Sequence, residues 1–427
     1  MYVTRAQLEN IRIISKFELD LTKGESAGWH VILGDNGSGK STLMRALAIA
    51  LIGPENAAAL RQDWSAWLAG DAESGSISLT IRADSNLDRW ADKGKTANKP
   101  IRPRVSFSSQ NVNAELVSAE FNGEYTKRTV WGSGSGWFSA AFGPFRRFRG
   151  GDREYEKLYY SHPRLAAHLS AFGEDVALSE ALAWIKNIQF RALEKDSSAR
   201  ALTQGIIHFI NQSELLPHNA RIEEITSSGV MVDNGAGTRV PVEEMSDGYR
   251  SILSMTFELL RAMDAAFGTE TLVHALNTNN GTVELPGVIL IDEIDAHLHP
   301  AWQKRIGNWF TDRFPKAQFF VTTHSPIICQ AAERGSIWRL ASPGTDEPSG
   351  RVIGQDLERL IYGNVLEAYS TEYFGTDVTR SRASKDMLRQ LAELNRKSLR
   401  GALSPDEEEE RSILQRRMPS RASNLQE

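Results

Sequence analysis

Little in this 427-residue chain is extreme, and what it lacks narrows the field. A single cysteine, Cys329, excludes an intramolecular disulfide, and its neighbours Ile327 and Ile328 mark it for packing rather than reactivity. No apolar run approaches the length needed to cross a bilayer. Met1 to Leu21 alternates polar and apolar residues where a secretory signal would show a basic end and an apolar stretch. The net charge of -5 carries no whole-chain bias toward nucleic acid, so any such surface would be a local basic patch. Internal repeats and heptad runs of coiled-coil length are also missing. What is left is ordinary globular composition, 41% hydrophobic and 24% charged, enough for one large or two ordinary domains. The expected setting is soluble, reducing and cytoplasmic, with no membrane partner.

Against this background one segment stands out. Gly34-Asp-Asn-Gly-Ser-Gly-Lys-Ser-Thr42 follows Trp29 to Leu33, an apolar run that reads as a buried strand, and leads into Ser41 to Leu51, which reads as a helix. This is the spacing of a phosphate loop. Gly34, Gly37 and Gly39 let the backbone turn its N–H groups inward, Lys40 adds a point charge, and Ser41 offers a hydroxyl to Mg²⁺. Asn36, Gly37, Ser38, Gly39, Lys40, Ser41 and Thr42 are the expected nucleotide contacts, with the helix N-terminus at the phosphates. ATP or GTP binding follows; the residues alone do not choose the base.

The rest of the chain divides around this loop into an α/β fold with central parallel strands. Residues 1–84 form the first half of the core. Residues 85–220 read as an insertion that includes a helical lobe, with Leu178, Leu182, Ile185 and Ile188 at helix spacing. Residues 221–342 return to the core, with Asn234-Gly235 as a hairpin turn and Val288–Ile291 and Phe319–Val321 as buried strands. Residues 343–427 form a polar helical extension.

The strand Val288–Ile291 ends in two adjacent carboxylates. Asp292 is suited to hold Mg²⁺, directly or through water, and Glu293 to orient the water that attacks the γ-phosphate, since phosphoryl transfer needs positioning and charge compensation. Upstream, Met245-Ser-Asp-Gly-Tyr-Arg250 opens an apolar helix, so Ser246 and the Gly248 backbone can meet an anion. Downstream, Val321-Thr-Thr-His-Ser325 ends another strand with His324, which can donate a hydrogen bond to a γ-phosphate.

This order resembles the ABC-type ATPases. That resemblance implies a dimer sandwiching two nucleotides, with Ser246, Asp247 and Gly248 in the LSGGQ-like signature acting in trans. It also implies that Asp295 lies in the loop crossing the interface and that His324 is the switch histidine. Met245, Asp247 and Tyr249 depart from the common signature. Residue 40 and residue 246 lie far apart in sequence, unlike the compact transporter engines and like the SMC, Rad50 and OLD-type branch. Asp292-Glu-Ile-Asp-Ala-His-Leu-His-Pro300, Thr323-His-Ser-Pro326 and Tyr362-Gly-Asn-Val-Leu-Glu-Ala-Tyr369 are similar to the stand-alone ATPases of bacterial anti-phage systems such as Septu and PARIS. No strand-rich, acid-rich module follows as an OLD-type nuclease would require. The resemblance therefore implies an ATPase switch controlling a separate effector, such as a nuclease or other toxin. The alternative is a DNA repair or recombination ATPase that binds DNA directly.

Other candidates remain two-sided. His297, His299 and Asp295 could ligate a metal, or serve the subunit interface and a helix cap. Arg146, Arg147 and Arg149 form the best basic cluster, suited to phosphates of nucleotide or nucleic acid, or to a solvated face. Gln110 is a candidate for the glutamine that links metal to lobe movement. The Arg411–Arg421 tail could bind nucleic acid or a partner, or be a disordered end.

Overall fold

Alternation in the first twenty residues calls for a half-buried ladder. In a computed structural model, β1 (Tyr2–Ile11) and β2 (Ile14–Asp20) provide it. The structure describes all residues except 23–25, 61, 90–98, 111–112, 119–122, 133–134, 147–157, 159–161, 174–178, 217, 279–280, 346–347, 375–380 and 418–427. With β4 (Ser74–Arg82), β5 (Arg104–Gln110) and β6 (Asn113–Ser118) these strands make an antiparallel sheet of order β2-β1-β4-β5-β6. Leu8 pairs with Phe17 on one side and Ile77 on the other, and Ile77 with Val105, so one face carries a buried apolar row.

The second sheet holds the site. Its order is β14-β13-β3-β12-β11-β7, formed by β3 (Gly28–Leu33), β7 (Phe138–Phe142), β11 (Gly287–Ile291), β12 (Ala317–Thr322), β13 (Gly335–Arg339) and β14 (Gly350–Arg351). All neighbours except the β13–β14 pair run parallel. Every residue of β3, β7, β11 and β12 is buried, as expected for strands covered on both faces. β7 lies within the span read as an insertion, yet it pairs with β11 along its whole length, Gly287 opposite Phe138 through Ile291 opposite Phe142.

One helix, α1 (Lys40–Ile52), lies between the sheets and touches β1, β4 and β5 on one side and β7, β11 and β12 on the other. That is why Leu43 to Ile52 is apolar nearly all round rather than on one stripe. A buried side chain also ties the two sheets: Gln318 of β12 accepts from the Val3 N–H at 2.7 Å and donates to the Val3 carbonyl at 2.8 Å.

The helical lobe contains the helices Ser179–Leu193 and Ser197–Gln212, joined by a short turn, with Asp196 capping the second through the Ala199 N–H. Leu182, Ile185 and Ile188 are buried; Leu178 lies outside the described residues. The Asn234-Gly235 turn joins β9 (Val230–Asp233) to β10 (Arg239–Pro241), and β8 (Arg221–Ile225) completes a small three-stranded sheet. Residues 1–363 form one compact unit. The other, Asn364–Glu427, contains the helix pair Arg382–Leu399 and Pro405–Arg417, which bury Leu394 and Leu414 and are linked by Lys397 and Glu407. Among the described residues no helix is long and apolar enough to cross a membrane.

Candidate functional site

Strand β3 delivers the phosphate loop to the C-terminal edge of the parallel sheet, where α/β folds bind ligands. Gly37 and Gly39 take φ of 81° and 98°, a region closed to most side chains, and Gly39 sits at the N-cap of α1. Lys40 is 6% exposed and donates to the carbonyls of Gly34 at 2.7 Å and Asp35 at 3.0 Å. Burial pushes its ammonium below the usual range, opposed by the carboxylates of Asp292, Glu293, Asp35 and Asp295. The fold thus brings the loop and the acidic strand end into one electrostatic neighbourhood. The Ser38 hydroxyl is buried with no hydrogen-bond partner, while Asn36 is exposed and Ser41 and Thr42 follow Lys40 in the first turn of α1. A buried ammonium resting on neutral carbonyls, beside an unpaired hydroxyl, is a donor set that fits a polyanion.

At the end of β11, Asp292 is 4% exposed, and its carboxylate accepts from the Thr322 hydroxyl at 2.6 Å. The same hydroxyl accepts from the Glu293 N–H at 2.7 Å. Glu293 adopts φ of 48°, an uncommon left-handed conformation for a residue with a side chain, costing of order 1–3 kcal/mol. It is held there from several directions: Asp292 N–H donates to the Phe142 carbonyl at 2.8 Å and Ile294 N–H to the Thr322 carbonyl at 3.0 Å.

Arg146 completes the clamp. Its guanidinium donates to the carbonyls of Gly143 (3.1 Å), Asp292 (2.8 Å), Glu293 (2.9 Å) and Ile294 (3.4 Å), and to the Ser251 hydroxyl (2.9 Å). Neither reading of the basic cluster as a phosphate-binding or solvated face holds for Arg146, which is 4% exposed and faces inward; burial pushes it down to about 10. Arg147 and Arg149 lie outside the described residues. Arg146 follows the apolar run of β7 through Gly143-Pro144-Phe145, and that strand-end turn was the available signal for it.

The remaining candidates fall into two groups. Asp295 turns inward, accepting from the Thr323 hydroxyl at 2.5 Å and the His324 N–H at 3.4 Å, so it braces the loop that carries His324; the His324 side chain is exposed. His299 caps the helix Pro300–Arg313 by accepting from the Ala301 N–H. With Asp295 and His299 committed to separate partners, these residues and His297 do not converge on a metal position. Ser246 and Asp247 are exposed at the start of the helix Asp247–Phe267, and no side chain caps that helix at Ser246. Gly248 faces the His297 carbonyl, 3.3 Å from where a Cβ would stand, and Tyr249 packs on Trp302 with ring centroids 5.4 Å apart. Gln110 ends β5 opposite Asn113, in the antiparallel sheet rather than the one bearing the acids.

Comparison with known proteins places this arrangement in a family context. A family described as "AAA domain, putative AbiEii toxin, Type IV TA system" matches residues 30–330. The chain is 24% identical to Septu protein PtuA of Bacillus mycoides (strain KBAB4) over 381 residues, covering 88% of this chain and 45% of that protein. It is 37% identical to "Retron Ec83 probable ATPase" of Escherichia coli over 99 residues, 23% of this chain and 17% of that one. The chain spans less than half the length of these curated relatives. Among solved structures, an Smc head bound to the C-winged helix domain of ScpA aligns over 82% of this chain and 97% of its own, at 19% identity and a TM-score of 0.46.

Proposed function

The chain belongs to the AAA-domain family matched over residues 30–330, and from that premise we propose that it is an ATP-hydrolysing switch whose nucleotide-driven dimer controls a separate effector in anti-phage defence. The observation that carries this reading is the joint arrangement of Lys40, Asp292 and Glu293 at one sheet edge, with Glu293 clamped in a left-handed turn. Lys40 exchanges its carbonyl partners for phosphate oxygens, and Ser38 gains the partner it lacks. Ser41 and Asp292 are the residues that would hold Mg²⁺, which supplies charge compensation on the phosphates. Glu293 orients the attacking water and His324 donates to the γ-phosphate. Ser246, with Asp247 and Gly248, presents an uncapped helix N-terminus to the nucleotide of a second subunit. The Septu and retron relatives support a defence role and a partner effector, such as a nuclease, outside this chain.

Glu293→Gln tests the chemistry. Turnover should fall by about 100-fold or more, and an ATP-bound dimer should accumulate in size-exclusion chromatography. Wild-type turnover in that variant would sink the mechanism. Lys40→Ala, assayed in cells challenged with phage, should lose protection while the protein stays folded. Salt-dependent binding of duplex DNA by the purified chain, with no effector recovered, would favour the DNA-repair reading instead.

A further inference from the structure

Arg146 is an unusual expense for a buried position. Its hydrogen-bond partners are backbone carbonyls and one hydroxyl; the carboxylates of Asp292, Asp295 and Glu293 favour its charge without bonding to it, and that of Asp292 accepts from Thr322. Desolvating a guanidinium without a carboxylate to pair it is costly. A lysine would be less well suited, because only the planar fork can reach several carbonyls in fixed directions at once. The geometry gives that fork two ends. One grips the consecutive carbonyls of Asp292, Glu293 and Ile294, the peptides that define the left-handed turn at Glu293. The other grips Ser251, little more than one turn into the helix that begins at Ser246. The same helix start abuts the loop beyond Glu293 through Gly248 and the His297 carbonyl.

We propose that Arg146 is a positioning residue that couples the seating of the Asp247–Phe267 helix to the carboxylate of Glu293. A subunit then becomes competent for hydrolysis only when its own helix start is docked on the nucleotide of the other subunit. Because the guanidinium is rigid, a displacement of Ser251 moves the plane that holds the Glu293 peptide, and a small misplacement of a water-orienting carboxylate is expensive in rate. The two sites of a dimer would be linked through this residue in each subunit. The proposal rests on reading Glu293 as the water-orienting group.

Ser251→Ala deletes the helix link and leaves the carbonyl contacts in place. ATP affinity should stay within about twofold and the thermal midpoint should shift only a few degrees, while kcat falls about tenfold. Arg146→Lys should lower kcat by up to about 100-fold at similar ATP affinity. The double variant should be no slower than Arg146→Lys alone, since both act through one path. A wild-type kcat in Ser251→Ala, additive effects in the double variant, or loss of rate that merely follows loss of ATP binding and folded protein would each overturn the coupling. Glu293→Gln, run alongside, separates the two ideas. If it leaves turnover unchanged, the hydrolysis reading itself fails; if it abolishes turnover while Ser251→Ala is unaffected, only the coupling fails.

Discussion

The phosphate loop and the helix start at Ser246 both present a helix N-terminus, but they are finished differently. In the loop, Ser38, Lys40 and Thr42 are buried, and Lys40 is already held on the Gly34 and Asp35 carbonyls. At the other helix, Ser246 and Asp247 are exposed; neither helix has a side-chain cap. An N-terminus without a side-chain cap leaves its first N–H groups to water or to a ligand. The contrast teaches that the first region is preorganised within one chain, whereas the second stands open, as the proposed second half of a shared site would.

Mixing two inactive variants is the strongest way to break that contrast. Lys40→Ala and Ser246→Arg should each abolish turnover alone, yet a mixed dimer contains one site with an intact loop and an intact helix start. An ATP-dependent mixed dimer, retained through its one intact site, is expected on mixing if the site is shared between subunits. Turnover stays low, because the subunit with the intact loop carries the damaged helix start; no ATP-dependent mixed dimer would mean that each chain works alone. A smaller effect should follow from Thr322→Val, which keeps the shape but removes the hydroxyl shared by Asp292 and the Glu293 N–H. Stability should drop by about 1–3 kcal/mol, measured by denaturant unfolding, with turnover reduced more than nucleotide affinity. Equal losses in both would place Thr322 on the binding side of the comparison.

The last effect concerns acid and leaves turnover at neutral pH untouched. His30, on the strand that supports the phosphate loop, lies between the Ser336 hydroxyl and the Ser26 carbonyl, and burial drives it down to about 4. His168, bonded to Ser139 beside β7, is pushed down to about 4 in the same way. The unfolded chain, with imidazoles near 6.5, takes up these protons first, so stability should fall as pH drops from about 6.5 toward 4. The cost should reach a few kcal/mol. The Asp247–Phe267 helix carries no histidine. Urea midpoints measured at pH 7 and pH 5 should diverge less in His30→Gln than in the wild type; an equal drop would remove His30 as the cause.

How much of this could be read beforehand depended on how local each signal was. The phosphate loop is contiguous, and its flanking strand and helix ends matched the residue pattern to within a residue or so. The strands β11 and β12 were equally plain, because a continuous apolar run bounded by polar residues has few other uses. The path from Phe138 to Phe142 was not. It is short, serine- and alanine-containing, and follows a glycine-serine stretch, so nothing local distinguishes a central strand from a surface turn. The inward role of Arg146 is hidden from local sequence for a related reason. Three arginines within four residues look like a solvent-facing cluster, and three of the four carbonyls that Arg146 satisfies belong to residues 292–294, brought near only by the pairing of β7 with β11. Asp295 showed its charge but not its inward turn onto Thr323.

Cys329 has a practical corollary. It is fully buried, and burial pushes its thiol far above the usual range, so it will resist alkylating dyes and spin labels in the folded protein. The chain is therefore spectroscopically silent toward thiol chemistry as it stands. A new cysteine at exposed Glu270, just past the other end of the Asp247–Phe267 helix, could be labelled without first removing a native one, and in the proposed dimer the distance between two such labels would follow opening and closing in real time.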